Sequence, residues 1–121
     1  MTLPPRIPKP QKRASRWRCQ PHVSFVKKHA CCKCGSMQNI EGAHVRLGSH
    51  TGMGQTPDDW RVVSLCVACH RHGRGAQHDT GERTFWRGID VEALIAAFIK
   101  ASPRRREIET VMAERQQRRA A

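Results

Sequence analysis

Apolar residues in this chain come in short runs separated by polar stretches, and their spacing changes from one run to the next. Val23, Phe25 and Val26 predict a short helix over residues 21–29. Two strands are predicted over residues 39–46 and 61–65, the second holding Val62 and Val63. The polar, glycine-containing stretch 48–59 between them reads as a loop. After Cys66 the chain can open a short helix, which Gly73 and Gly75 interrupt. Asp90 predicts the N-cap of an amphipathic helix with Val91, Leu94, Ile95 and Phe98 on one face. Ser102 predicts the cap of a last helix, with Pro103 at its first position and Ile108, Val111 and Met112 as its only apolar stripe. Together these elements predict an α+β class. A chain of 121 residues holds one domain with a modest core.

Charge divides that chain into three parts. Residues 1–18 carry Pro4, Pro5, Pro8 and Pro10 and the cations Arg6, Lys9, Lys12, Arg13, Arg16 and Arg18, with no acid. Proline favours extended backbone and like charges oppose collapse, so this segment reads as a mobile basic arm. Residues 19–101 form the predicted globular part, and 102–121 an arginine-rich helix that can dock on the core, pair with another copy, lie on nucleic acid or stand solvated. The formal net charge of +12 repels itself unless an anion offsets it, and a phosphate backbone is the common partner. No basic start leading into an apolar run reads as a secretion signal, and no stretch is long and apolar enough for a membrane. A reducing cytoplasm is therefore expected, with no membrane partner.

In that compartment the six cysteines read as metal chemistry rather than as a disulfide framework. Cys31-x-x-Cys34 and Cys66-x-x-Cys69 are two knuckles, each able to present both sulfurs to one ion, and four thiolates suit a tetrahedral structural zinc. Cys31 rather than Cys32 has the usual spacing to Cys34, which leaves Cys19 and Cys32 as spare thiols. Gly35 is placed to turn the chain around the metal. Zinc binding would add the stability that a core with 5% aromatic residues lacks. His44, near the end of the first predicted strand, is brought back toward His70 by the strand, loop, strand and knuckle that follow. A neutral imidazole there can take a proton from water, while a divalent ion opposite polarises a phosphate.

Several segments in combination resemble a known family. They are Cys31-x-x-Cys34, Gly42-Ala43-His44-Val45-Arg46, Pro57-x-Asp59, Leu65-Cys66-x-x-Cys69-His70 and Gln77-His78-x-x-Gly81-Glu82-x-x-Phe85-Trp86. This set resembles the phage and prophage HNH nucleases related to the recombination-enhancement (Ref) proteins, over about residues 19–103. The resemblance implies a zinc-stabilised ββα-metal, or His-Me finger, fold and a metal-dependent DNA endonuclease. By position it implies His44 as general base, His70 and His78 as ligands of a catalytic divalent ion (Mg2+, Mn2+ or another), and Cys31, Cys34, Cys66 and Cys69 as ligands of structural Zn2+. A RecA-type recombinase is a conceivable partner besides DNA.

Three positions depart from the family pattern. Ala43 stands where many relatives place a ligand, and Arg61 where an asparagine is usual, which makes Asp59 the candidate to orient the base. Residues 71–76 lengthen the interval from His70 to His78, so His72 competes for the ligand role. Phe85 and Trp86 read as core, and Glu82 as either a partner of a histidine ligand or a turn cap. The alternative function is a non-catalytic zinc module that binds DNA or a recombination protein on an eroded nuclease scaffold. An RNA-binding zinc protein is a further class, with no aromatic stacking motif to support it.

Overall fold

The computed structural model of the chain describes residues 1–9, 16–51 and 55–120. Pro10, Lys12 and Arg13 of the arm and residues 52–54 of the loop lie outside the described residues, as does Ala121 and as do the side chains of Arg119 and Ala120. The elements in order are α1 (Gln20–Val26), β1 (Ile40–His44), β2 (Val62–Cys66), a π-type turn (Ala68–His72), α2 (Gln77–Thr80), α3 (Glu82–Phe85), α4 (Val91–Ala101) and α5 (Arg105–Ala120). The result is a small mixed α+β domain built on one two-stranded sheet.

The strands pair antiparallel from Ile40 with Cys66 to His44 with Val62. β1 lies inside the predicted span 39–46, and β2 is shifted by one residue from 61–65. Every residue of β2 is buried, because helices cover it on both sides. At Gly42 on β1, a Cβ would come within 2.9 Å of Cγ1 of Val23. Glycine there lets α1 lie close against the sheet.

The core gathers Ala43, Val45, Val63 and Leu65 from the hairpin region, Phe85 and Trp86, and Val91, Ile95 and Ile99 of α4. Phe85 and Trp86 are 4% and 3% exposed and meet edge to face, as core residues should. Asp90 caps α4 by accepting from the amide of Ala93 at 3.1 Å. Leu94 and Phe98 are only partly buried, so the inward face of α4 runs through Val91, Ile95 and Ile99 instead. Ser102 Oγ accepts from the Arg104 amide at 3.1 Å, although the regular helix begins only at Arg105.

Helix α5 is charged nearly all round, yet Ile108 is fully buried in the common core and Met112 packs beside it. One such side chain contributes about 2 kcal/mol of burial. The helix is held further down by Arg115, which pairs with Asp58 at 3.2 Å. Of the alternatives open to it, docking on the core is the one observed. The arm is also anchored at its end, where Asp58 Oδ1 and Asp59 Oδ2 accept from the amides of Trp17 and Cys19 at 2.7 and 2.8 Å.

Candidate metal centre and histidine cleft

The two knuckles bring Cys31, Cys34, Cys66 and Cys69 together with all four sulfurs within 4.8 Å of one another. Cys34 Sγ and Cys66 Sγ are 3.6 Å apart. A tetrahedron of about 2.3 Å zinc–sulfur bonds has edges of about 3.8 Å, so the donor set suits Zn2+ with little adjustment. Local backbone supports this: Gly35 takes φ +79°, which turns the first knuckle, and the Cys34 amide faces Cys31 Sγ at 3.5 Å. Burial pushes the Cys31 thiol up, but the amides of Cys34, Cys66 and Lys33, together with the Cys34 side chain, outweigh it and hold the group at about 6. Cys69 is pushed well above the usual thiol range by burial and then by its three sulfur neighbours. A cation among the sulfurs would offset the repulsion that keeps them from ionising together. Cys32 takes no part, and meets Ser64 Oγ at 3.4 Å.

Between Cys66 and the next helices lies the predicted short helix, broken at Gly73 as expected, but wound as a single π-type turn. Gly73 N donates to Ala68 O at 2.8 Å, and a Cβ on Gly73 would sit 2.5 Å from that oxygen. Only glycine permits so close a closure, and the wide turn sends adjacent side chains in different directions. Cys69 enters the sulfur cluster, while His70 Nδ1 meets Glu41 Oε1 on β1 at 2.9 Å.

His70 and His78 lie ring to ring, with centroids 4.5 Å apart, despite the lengthened interval between them. With His44, Gln77 and Glu82 they line one cleft of about 740 Å³. His72 is exposed and does not line it. His44 Nε2 meets Asp59 Oδ1 at 2.9 Å, and Asp59 is 4% exposed. A carboxylate only accepts, so Nε2 is the nitrogen that donates to it. His78 is held below the usual histidine range by burial, then by the neighbouring His70. Glu41 is held down at about 2, first by hydrogen bonds from Arg71 and then by His70.

Among the described residues, the four cysteines are the only group of three or more histidine, cysteine or acidic donors close enough to share an ion. Ala43 is fully buried in the core and adds nothing to the cleft. Arg61 is structural: it donates to Val45 O and Leu47 O at 3.1 and 2.8 Å and pairs with Glu92. Glu82 caps the turn after β1, accepting from the amides of Arg46 and Leu47 at 2.9 and 2.5 Å. Two residues carry roles that the sequence did not assign: Glu41, and Gln77, which stood only as the first residue of a motif. Gln77 is 2% exposed, and its Nε2 donates to Glu82 Oε1 at 3.1 Å and to His44 O at 3.4 Å. No periodic pattern marks either one, because each acts on a partner about thirty residues away, at separations of 29 and 33.

Residues 5–101 match the family described as DUF968, protein of unknown function. The chain belongs to this family. The DUF968 span contains the four cysteines, His44, Asp59, His70 and His78, and stops before α5. No curated protein and no solved structure matches the chain.

Proposed function

We propose that this chain is a zinc-held nucleic-acid-binding module acting in DNA processing. The sulfur cluster carries the reading: four converging thiols in a small domain suit a closed structural zinc, which stabilises the fold and leaves no open position for chemistry. The formal net charge of +12 supports a polyanionic partner. No helix among the described residues is long and apolar enough to cross a membrane. In this reading the module works in the cytoplasm of a bacterial or phage-infected cell, as a DNA-binding or recombination accessory protein.

A finer reading is favoured by the cleft: a metal-dependent HNH endonuclease with a His-Me finger fold, akin to the Ref-related nucleases. His44, oriented by buried Asp59, takes a proton from water through Nδ1. His70 presents Nε2 to the cleft while Glu41 holds Nδ1, the arrangement in which a carboxylate steadies a metal-binding imidazole. His70 and His78 would hold Mg2+, Mn2+ or another divalent ion, which supplies Lewis-acid stabilisation of the phosphate and leaving oxygen. A RecA-type recombinase that presents the DNA belongs to the same reading.

Plasmid nicking in magnesium or manganese separates the two readings. The endonuclease expects the parent to nick, and both His44→Ala and Asp59→Asn to lose at least roughly tenfold in rate with zinc content unchanged. A parent that binds DNA without nicking it leaves the accessory module standing and removes the nuclease. Equal nicking by parent and His44→Ala removes His44 as the base.

A further inference from the structure

Beside the histidine cleft lies a second, larger one of about 970 Å³, and Thr51, Thr56 and Pro57 line both. Its walls come from three separate parts of the chain: Arg16 and Arg18 at the end of the arm, residues 48–51, 55–58 and 60–61 before β2, and Arg115 and Arg118 on α5. Five arginines thus face one cleft that holds a single acid, Asp58. Arg61 is answered by Glu92 and Arg115 by Asp58. Arg16, Arg18 and Arg118 have no ionic partner among the described residues.

We infer that the arm's end and α5 form the two walls of a groove for the phosphate backbone of a nucleic-acid strand, continuous with the histidine cleft. This rests on the nucleic-acid part of the proposed function, and assigns that binding to a particular surface which includes a helix beyond the DUF968 match. Charge is segregated along α5 in the way the groove requires. In its first turns two of three arginines are paired within the helix and its approach, Arg104 with Glu107 and Arg105 with Glu109. Arg115 and Arg118, three residues apart, share a side of the helix and both line the cleft. The walls are also rigidly placed. Buried Ile108 seats α5, and Asp58 joins the two walls by accepting from the Trp17 amide on one side and pairing with Arg115 on the other. Cations spaced on a fixed frame bind a run of phosphates with less loss of side-chain freedom than a mobile tail does.

The test uses the full zinc-loaded chain. Fluorescence anisotropy measures the binding of a labelled 20-nucleotide DNA strand and the matching duplex over a range of sodium chloride concentrations. Parent protein is compared with the groove variant Arg16→Ala/Arg18→Ala/Arg118→Ala and with a control of equal charge change outside the groove, Arg87→Ala/Arg104→Ala/Arg105→Ala. All substituted positions except Arg16 are exposed, and the zinc content and melting temperature of each variant check the fold. The groove variant is expected to lose at least roughly tenfold in affinity at low salt for the strand or the duplex. Its salt slope should fall by about two units, while the control keeps most of the parent's slope. Equal losses in the two variants, or none in the groove variant, overturn the groove and leave nucleic-acid binding itself intact. A parent that binds neither DNA removes the proposed function together with the groove, as does one that binds polyglutamate equally well.

Discussion

At the Ile40–Cys66 end of the hairpin, four thiols from two tetrapeptide turns converge on one point; along β1 toward His44, imidazoles from three separate segments line an open cleft. The first region is made of like groups whose spacing within each pair is set over four residues of chain. The second is made of unlike groups held by bonds such as His44 to Asp59, His70 to Glu41, Gln77 to His44 and Arg61 to Leu47, which span 14 to 33 residues. Within each pair the sulfurs need only their own turn, and a single long-range juxtaposition, Cys34 with Cys66, joins the two pairs. The open cleft needs the whole tertiary frame around it.

The largest test of that contrast is to remove the sulfur centre. Cys66→Ser, or exhaustive chelation of the parent, should abolish cooperative thermal unfolding and take zinc from one ion per chain to none by mass spectrometry. Structural zinc binding in small domains is worth on the order of 10 kcal/mol, more than this core has to spare. A chelated chain that still melts cooperatively would show that the cluster does not carry the fold. Arg61→Met should have the next largest effect, because it strips two backbone acceptors of their buried donor and frees Glu92. We expect a loss of about 2–3 kcal/mol in denaturant unfolding, with zinc still bound at one per chain. If zinc were lost as well, the two regions would not be independent.

The smallest effect belongs to neither region and serves as a control on both. His22 is fully buried, bonds Ser102 Oγ through Nδ1 at 2.8 Å, and leaves Nε2 without a partner. Burial holds its pKa below the usual value, against a pull upward from Asp59. Near pH 6.5 and below, the unfolded chain therefore takes up a proton that the folded chain refuses. Stability from this site is full above about pH 6.5 and declines as the pH falls from there. His22→Gln, which keeps a partner for Ser102, should flatten that part of the stability profile slightly while leaving zinc content unchanged. An unaltered profile would mean that His22 does not titrate differently on folding.

Legibility follows the same division. Cys31, Cys34, Cys66 and Cys69 were identifiable by spacing, and so was the Asp90 cap of α4, because each depends on neighbours within four residues. The short helix after Cys66 and its break at Gly73 were legible, but its π-type winding was not, because the closure of Gly73 on Ala68 is a steric fact with no apolar period to announce it. Glu82 was left open between two roles, and only the folded chain placed it on the amides of Arg46 and Leu47.

The amino-acid sequence alone determined the sulfur donor set, the α+β succession of elements and the excess of positive charge. These are set by residue type and by short-range geometry, which any fold of the chain must respect. Tertiary structure alone decided that Glu41 and Gln77 support the cleft, and that a helix charged nearly all round docks through Ile108 and Arg115. Those contacts join segments far apart in the chain, and their formation depends on how the shared core brings the segments together.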